Sequence, residues 1–257
     1  MNQPSGSFKD HFSTLASSYA RYRPSYPDAL FDALAELGPT TELAWDCATG
    51  NGQAALALAR RFTHVVATDA SAAQLSAAEA HPRVEYRAER AEQSTLASGS
   101  VSLVTVAQAI HWFDLDAFVT EVRRVCRPRG VLAAWTYGLG KALLPHHADE
   151  LERALQRFYG ETVGPYWPPE RRLVEAGYAT LQLPFERITL PSFAMQASWS
   201  LPDLLGYLRT WSAVKRYTQA LGHDPVEPLA EELVALWGDP EQAHRVQWPL
   251  TMLAARV

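Results

Sequence analysis

Two cysteines in 257 residues, Cys47 and Cys126, are too few for a disulfide framework and stand in no zinc-ligand spacing. No run of about 18 apolar residues occurs, so no membrane-spanning helix is expected. The polar stretch from Met1 to Asp10 has no apolar signal core, and a cytoplasmic protein is the expectation. Blocks of like charge are missing as well. Arg60-Arg61 and Arg123-Arg124 are short pairs that read as solvated helix ends. At a net charge of −5 the chain lacks the clustered Lys and Arg that a nucleic-acid backbone requires. Neither nucleic acid nor membrane is expected as a partner, and nothing in the pattern specifies an oligomeric state.

What is present is ordinary for a globular protein: 47% hydrophobic and 20% charged residues. A chain of this length buries a sizeable core, and one elaborated domain is expected rather than two equal ones. Apolar segments alternate with helical patterns as far as Tyr137. Strands are predicted at 42–47, 64–68, 83–87, 101–107 and 131–137, with helices at 53–61, 72–80 and 115–127 between them. Ser71 is placed to cap the second helix. This alternation implies an α/β fold, a doubly wound parallel sheet with right-handed crossovers. Beyond it a helix over 146–159, a loop at 164–169, a strand over 184–190, two helices over 201–221 and 226–237 and a last strand over 245–257 are predicted. The late helices form a cap at one end of the sheet, of the kind that shapes a substrate pocket.

The densest signal is Ala44-Trp45-Asp46-Cys47-Ala48-Thr49-Gly50-Asn51-Gly52-Gln53. An apolar strand ends in a carboxylate, two glycines follow, and an alanine-rich helix begins. Backbone amides are thereby brought to the C-terminal edge of a sheet, where open α/β folds bind ligands. Asp69 stands nineteen residues beyond Gly50, at the end of the second strand. An acidic residue at about that distance accepts hydrogen bonds from ribose hydroxyls. Asp46 disfavours a phosphate at the turn and favours an ammonium group. Ala55 takes the third place of G-x-G-x-x-G, so the match to a pyrophosphate loop is only partial. An adenosine cofactor with an ammonium group fits: S-adenosylmethionine (SAM).

The chain resembles the class I SAM-dependent methyltransferases, and more closely their trans-aconitate-methyltransferase-like group of the methyltransferase-11 type. Tyr19-Ala20-Arg21-Tyr22-Arg23-Pro24-Ser25-Tyr26-Pro27 matches the opening motif, and Ala107-Gln108-Ala109-Ile110-His111-Trp112-Phe113-Asp114 the motif after strand four. Thr210-Trp211-Ser212-Ala213-Val214 resembles a motif in a late helix. The resemblance implies a mainly parallel seven-stranded Rossmann-like sheet. N-terminal lid helices are expected over 1–40 and the SAM-binding core over 41–145. The remainder, 146–257, would complete the sheet and carry a helical cap at 201–238. It further implies that Asp46, Ala48, Gly50 and Gly52 hold the methionine end of SAM and Asp69 the ribose. Ala91 and Glu92, with Arg90, would lie along the adenine, and Gln108 beneath the cofactor. Tyr19 and Arg23 would close the lid, and His111 and Trp112 would lie beside the methyl group as catalytic candidates. Two positions depart from the pattern: Ala48 replaces the usual first glycine, and Ser102 stands where an aspartate is common.

The expected activity is methyl transfer from SAM to a small-molecule acceptor, leaving S-adenosylhomocysteine. O-methylation of a carboxylate leads, since a carboxylate is ionised near neutral pH and needs no base. N-methylation of a small heterocycle or amine is the alternative, with His111 as the candidate base. Tyr26, Tyr207 and Trp211 are candidate substrate contacts; Tyr207 and Trp211 share a helix face, and core packing is the competing reading. No metal is expected, because His146 and His147 would point about 100° apart on a helix. From other classes, a nicotinamide-dependent oxidoreductase would leave Asp46 and the two motifs unexplained. A noncatalytic SAM-binding protein would keep only the cofactor residues.

Overall fold

The computed structural model describes residues 22–257. The N-terminal part of the expected lid, including Tyr19, lies outside the described residues. Within them the lid region contains one helix, α1 (Asp28–Leu37), whose Leu30, Phe31 and Leu34 are buried. The alternating half follows: β1 (Leu43–Cys47), α2 (Gln53–Leu58), β2 (His64–Asp69), α3 (Ala72–Ser76) and β3 (Val84–Ala88). Then come β4 (Val101–Ala107), a 3-10 turn (Ile110–Trp112), α4 (Leu115–Val125) and β5 (Cys126–Thr136). Ser71 does cap α3, its side chain accepting from the Gln74 amide. That helix ends earlier than its apolar pattern predicts, and none of its residues is buried.

The second half contains β6 (Lys141–Leu143), α5 (Ala148–Arg157), α6 (Arg171–Glu175), β7 (Glu186–Ile188) and β8 (Phe193–Trp199). It closes with α7 (Leu201–Arg209), α8 (Ser212–Leu221), α9 (Val226–Trp237) and β9 (His244–Arg256). The sheet runs β3-β2-β1-β4-β5-β9, with β1 to β5 parallel and β9 antiparallel to β5. β7 pairs with residues 254–256 of β9 and completes the expected seven strands. The sheet is larger than expected, however: β6 and β8 pair with the first half of β9, making nine strands in all among the described residues.

β9 serves both parts, and its burial shows how. From His244 to Leu250 buried and more exposed residues alternate, as in a strand with one face on a core. Leu253, Ala254 and Ala255 are consecutively buried, because here helices cover both faces of the sheet. Trp248 points from the alternating half into a cluster with Trp199 (4.7 Å between ring centres) and Tyr207 (5.6 Å).

The segment 201–221 is not one helix. The Thr210 and Trp211 amides donate to Tyr207 O and Leu208 O, tightening the last turn, and Trp211 leaves helical geometry at φ −66°, ψ 137°. Its indole thereby joins Phe158, Tyr159, Trp167 and Tyr207, all with ring centres within 6.2 Å. Packing of this kind overrides a weak local helical preference. α7 starts with a reciprocal Ser200–Asp203 capping box. The cap therefore consists of three helices, α7, α8 and α9, with α9 packing on α5. Among the described residues no helix is long and apolar enough to cross a membrane.

Gly140 approaches Trp248 so closely that a Cβ there would overlap the indole. Gly140→Ala is expected to displace Trp248 and its aromatic partners. The result should be a loss of about 1–3 kcal/mol, read as a lower urea midpoint with an unchanged slope.

Candidate active site

The turn after β1 is built from left-handed residues. Ala48 (φ 54°), Gly50 (φ 59°) and Gly52 (φ 86°) all adopt positive φ. Gly52 has a second reason to be glycine, since a Cβ would collide with the Tyr86 hydroxyl. The Thr49 amide donates to Thr68 O at 2.9 Å, and the Gly50 amide to Asp69 Oδ2 at 2.9 Å. Asp69 Oδ1 accepts from the Ser71 amide at 2.8 Å. A carboxylate has about four lone-pair sites, more than these two bonds use.

Above this turn opens a cavity of about 660 Å³, within the usual range for small-molecule sites. Ala48, Thr49, Gly50 and Asn51 form one wall, Asp69 and Ser71 a second, Ala91 and Glu92 a third. Gln108, Trp112, Tyr137, Arg23 and Tyr26 close the remaining side. Among the described residues five carboxylates and two guanidiniums line it: Asp69, Glu79, Glu89, Glu92 and Glu170 against Arg23 and Arg90. That donor set suits hydroxyl and ammonium groups and opposes a pyrophosphate. The residues present therefore fit SAM better than a dinucleotide.

Asp46 sits beneath the cavity rather than on its wall. It is fully buried, accepting from Thr49 Oγ1 at 2.5 Å and Thr105 Oγ1 at 2.7 Å. Burial raises its pKa to about 6, against the lowering effect of the Thr49, Thr105 and Ala55 donors. Gly52 is likewise buried under the turn, a packing position.

A second cavity of about 100 Å³ adjoins the first through Arg23, Gln108, Trp112 and Tyr137. His111, Trp167, Arg171, Tyr207, Trp211 and Lys215 also line it. Arg23 bridges the two cavities, donating to Tyr137 Oη at 2.7 Å with its guanidinium 5.4 Å from the Tyr207 ring centre. Arg171 donates to Tyr159 Oη at 2.7 Å and stacks 4.6 Å from the Trp167 ring centre. Half-buried Lys215 has its pKa lowered to about 8, first by burial and then by Arg23. Among the described residues neither Arg171 nor Lys215 makes an ion pair. Among the described residues no carboxylate lines this cavity.

Most sequence-predicted residues converge here, with some changes of place. Ala48, Gly50, Asp69, Ala91, Glu92, Gln108 and Arg23 line the large cavity. His111, Tyr207 and Trp211 line the small one, and Trp112 lines both. Tyr26, expected at the substrate, is on the large cavity instead, held edge-on against Trp135 at 5.4 Å. Thr49, Arg171, Lys215 and Tyr178 were not foreseen. Thr49 lies inside the glycine turn and was legible there. Arg171 and Lys215 carry no local signal, because only the cap's packing brings them together.

Comparison with known proteins agrees with this geometry. A family model described as a methyltransferase domain matches residues 45–134. A Dictyostelium discoideum protein named as a methyltransferase is 34% identical over 255 residues, covering 97% of this chain and 95% of its own. A solved structure from Anaeromyxobacter dehalogenans, described as a type II methyltransferase, is 44% identical with a TM-score of 0.84, covering 91% of this chain and 97% of its own. A methyltransferase structure from Anabaena variabilis, 20% identical with a TM-score of 0.54 and covering 90% and 98%, shares the fold.

Ala48 occupies a conformation that suits glycine, which costs an L residue roughly 1–2 kcal/mol. Ala48→Gly is expected to stabilise the protein by about 1 kcal/mol, less what the freer unfolded chain takes back. Thermal unfolding should then occur about 2–4 °C higher.

Proposed function

This chain belongs to the class I SAM-dependent methyltransferases, and we propose that its acceptor is a small anionic molecule methylated on a carboxylate oxygen. The observation that carries this reading is the second cavity, where the described residues supply Arg23, Arg171 and Lys215 and no carboxylate. A cavity walled by one sign of charge concentrates ligands of the other. The aromatic side chains around it supply apolar surface for a small organic acid. We also infer the finer kinship with the trans-aconitate-methyltransferase-like group, which rests on the Tyr19–Pro27 and Ala107–Asp114 sequence motifs and agrees with an acidic acceptor.

When bound, SAM supplies a methyl group already activated by its sulfonium. The chain's own residues have to bind, orient and exclude water. Asp69 would receive the ribose hydroxyls, while Thr49 and Gly50 present the turn to the amino-acid end. Ala91 and Glu92 would flank the adenine. Asp46 would act from below, its negative charge favouring an ammonium group over the turn. Gln108, Trp112 and Arg23 border both cavities, so they would align the acceptor oxygen with the methyl group. Alignment of this sort lowers barriers by up to about 7–11 kcal/mol in intramolecular analogues. Burial, then the Arg171 guanidinium, depresses the His111 pKa to about 4, so it stays neutral near pH 7. That suits an acceptor which needs no base.

Two measurements test this. Methylation of a panel of small carboxylic acids and amines by labelled SAM should favour the acids. Arg171→Met and Lys215→Met should raise KM for the acids about 10–100-fold while leaving SAM affinity unchanged. Transfer to neutral amines alone would overturn the carboxylate reading.

Asp46 adds a pH dependence. A cationic ligand favours ionised Asp46, so SAM should bind more weakly as pH falls through about 6, where Asp46 takes up a proton. Titration calorimetry should show this loss in the wild type and a flatter profile in Asp46→Asn. A wild-type affinity that stays constant across that range would remove Asp46 from cofactor binding.

A further inference from the structure

Arg171 and Glu175 stand four residues apart on α6, the spacing at which opposite charges pair along a helix. They do not pair. The Tyr159 hydroxyl bonds both instead: Arg171 Nε donates to it at 2.7 Å, and it donates to Glu175 Oε1 at 2.8 Å. No other direction is available, because a guanidinium cannot accept a hydrogen bond and a phenol has one proton to give. Burial lifts the Tyr159 pKa to about 12, against the lowering effect of Arg171, so the proton stays on the phenol.

The backbone around Tyr159 is unusual. Phe158–Thr162 forms a single π-helical turn directly after α5, with the Val163 amide donating to Phe158 O at 3.0 Å. Such turns are rare and recur at functional sites. This one sets the Tyr159 ring 5.1 Å from Trp167 and edge-on to Trp211 at 5.7 Å. The Trp167 indole donates back to Tyr159 O at 3.3 Å, and its ring lies 4.6 Å from the Arg171 guanidinium. Arg171 is thus held at Nε by Tyr159 and against Trp167 by its plane. Its terminal nitrogens, Nη1 and Nη2, make no hydrogen bond or ion pair among the described residues, and Arg171 lines the small cavity.

We propose that Tyr159 is a positioning residue: by bonding Arg171 Nε and Glu175 together, it keeps those two charges from closing on each other and leaves the terminal fork of Arg171 for an anionic group of the acceptor. A guanidinium grips a carboxylate through two parallel N–H donors, either Nε with one Nη or both Nη. With Nε engaged, only the grip through both Nη is left. Glu175 acts through Tyr159 and does not touch the acceptor. The proposal deepens the acid-acceptor reading of the small cavity and rests on it.

Tyr159→Phe keeps the ring and removes the hydroxyl, so Arg171 and Glu175 should close into an ion pair. Titration calorimetry of the full chain with succinate, in the presence of S-adenosylhomocysteine, should then show an affinity about two- to fivefold weaker than in the wild type. Adding Glu175→Gln removes the competing charge and should recover the wild-type affinity. Methylglyoxal, which adds to the terminal nitrogens of arginine, gives a readout that needs no acceptor. Peptide mass spectrometry should find Arg171 modified more slowly in Tyr159→Phe than in the wild type, and at the wild-type rate in the double variant. Unchanged succinate affinity in Tyr159→Phe overturns the proposal. So does a loss that Glu175→Gln fails to recover, which is what a role for Tyr159 in packing alone predicts. Succinate affinity that is the same in Arg171→Met and the wild type overturns the reading of the small cavity, and the proposal with it. The methylglyoxal rates tell that outcome apart from a failure of the Tyr159 arrangement alone.

Discussion

The hydrogen bond from the Gly50 amide to the Asp69 carboxylate, 2.9 Å long, is the constraint on which the site depends. It ties the left-handed turn after β1 to the end of β2. With it the backbone amides, the acidic side chain and the start of α2 come to one edge of the sheet. The turn can take that shape only because two of its three left-handed positions are glycine. The third, Ala48, is held in a costly conformation by its surroundings. The Thr49-to-Thr68 backbone bond and the buried carboxylate of Asp46, held by two hydroxyls, fix the turn from below.

The second cavity depends on a different element. β9 pairs with β5 and β7 through its second half and with β6 and β8 through its first. One strand thus belongs both to the main sheet and to the platform under the cap. Trp248 on that platform packs with Trp199 and Tyr207, and Tyr207 in turn contacts Arg23 and Trp211. The cap is therefore packed against the sheet that carries the large cavity. The two cavities share Arg23, Gln108, Trp112 and Tyr137.

Local signals served the first half of the chain well. β4 falls where its run of β-branched residues places it, and the first five strands occur in the expected order. Periodicity was less informative afterwards. β8 was not foreseen, because Phe193–Trp199 lies in a stretch with no clear turn signals, and its pairing partner is some fifty residues away. α7 and α8 read as one helix, because the reason for the break is the destination of the Trp211 indole and not its propensity. Asp46 was legible as a carboxylate at the turn, but its depth was not. Its complete burial, and so its raised pKa, comes from the strands on either side.

The sequence by itself determined the α/β alternation, the glycine turn, Asp69 at the end of β2 and the motif after β4. Each is a local pattern, decided by φ preferences, hydrophobic period and short-range spacing. Only the tertiary structure decided which charges meet. Arg23, Arg171 and Lys215 come from three distant segments and converge because the cap folds onto β9. The orientation of His111 was decided in the same way. The Tyr178 phenol meets its Nδ1 at 2.9 Å, and the two residues become neighbours only when the segment after α6 packs against the 3-10 turn that follows β4. Directional bonds between remote residues leave no trace in local sequence, because their geometry exists only after the chain has closed.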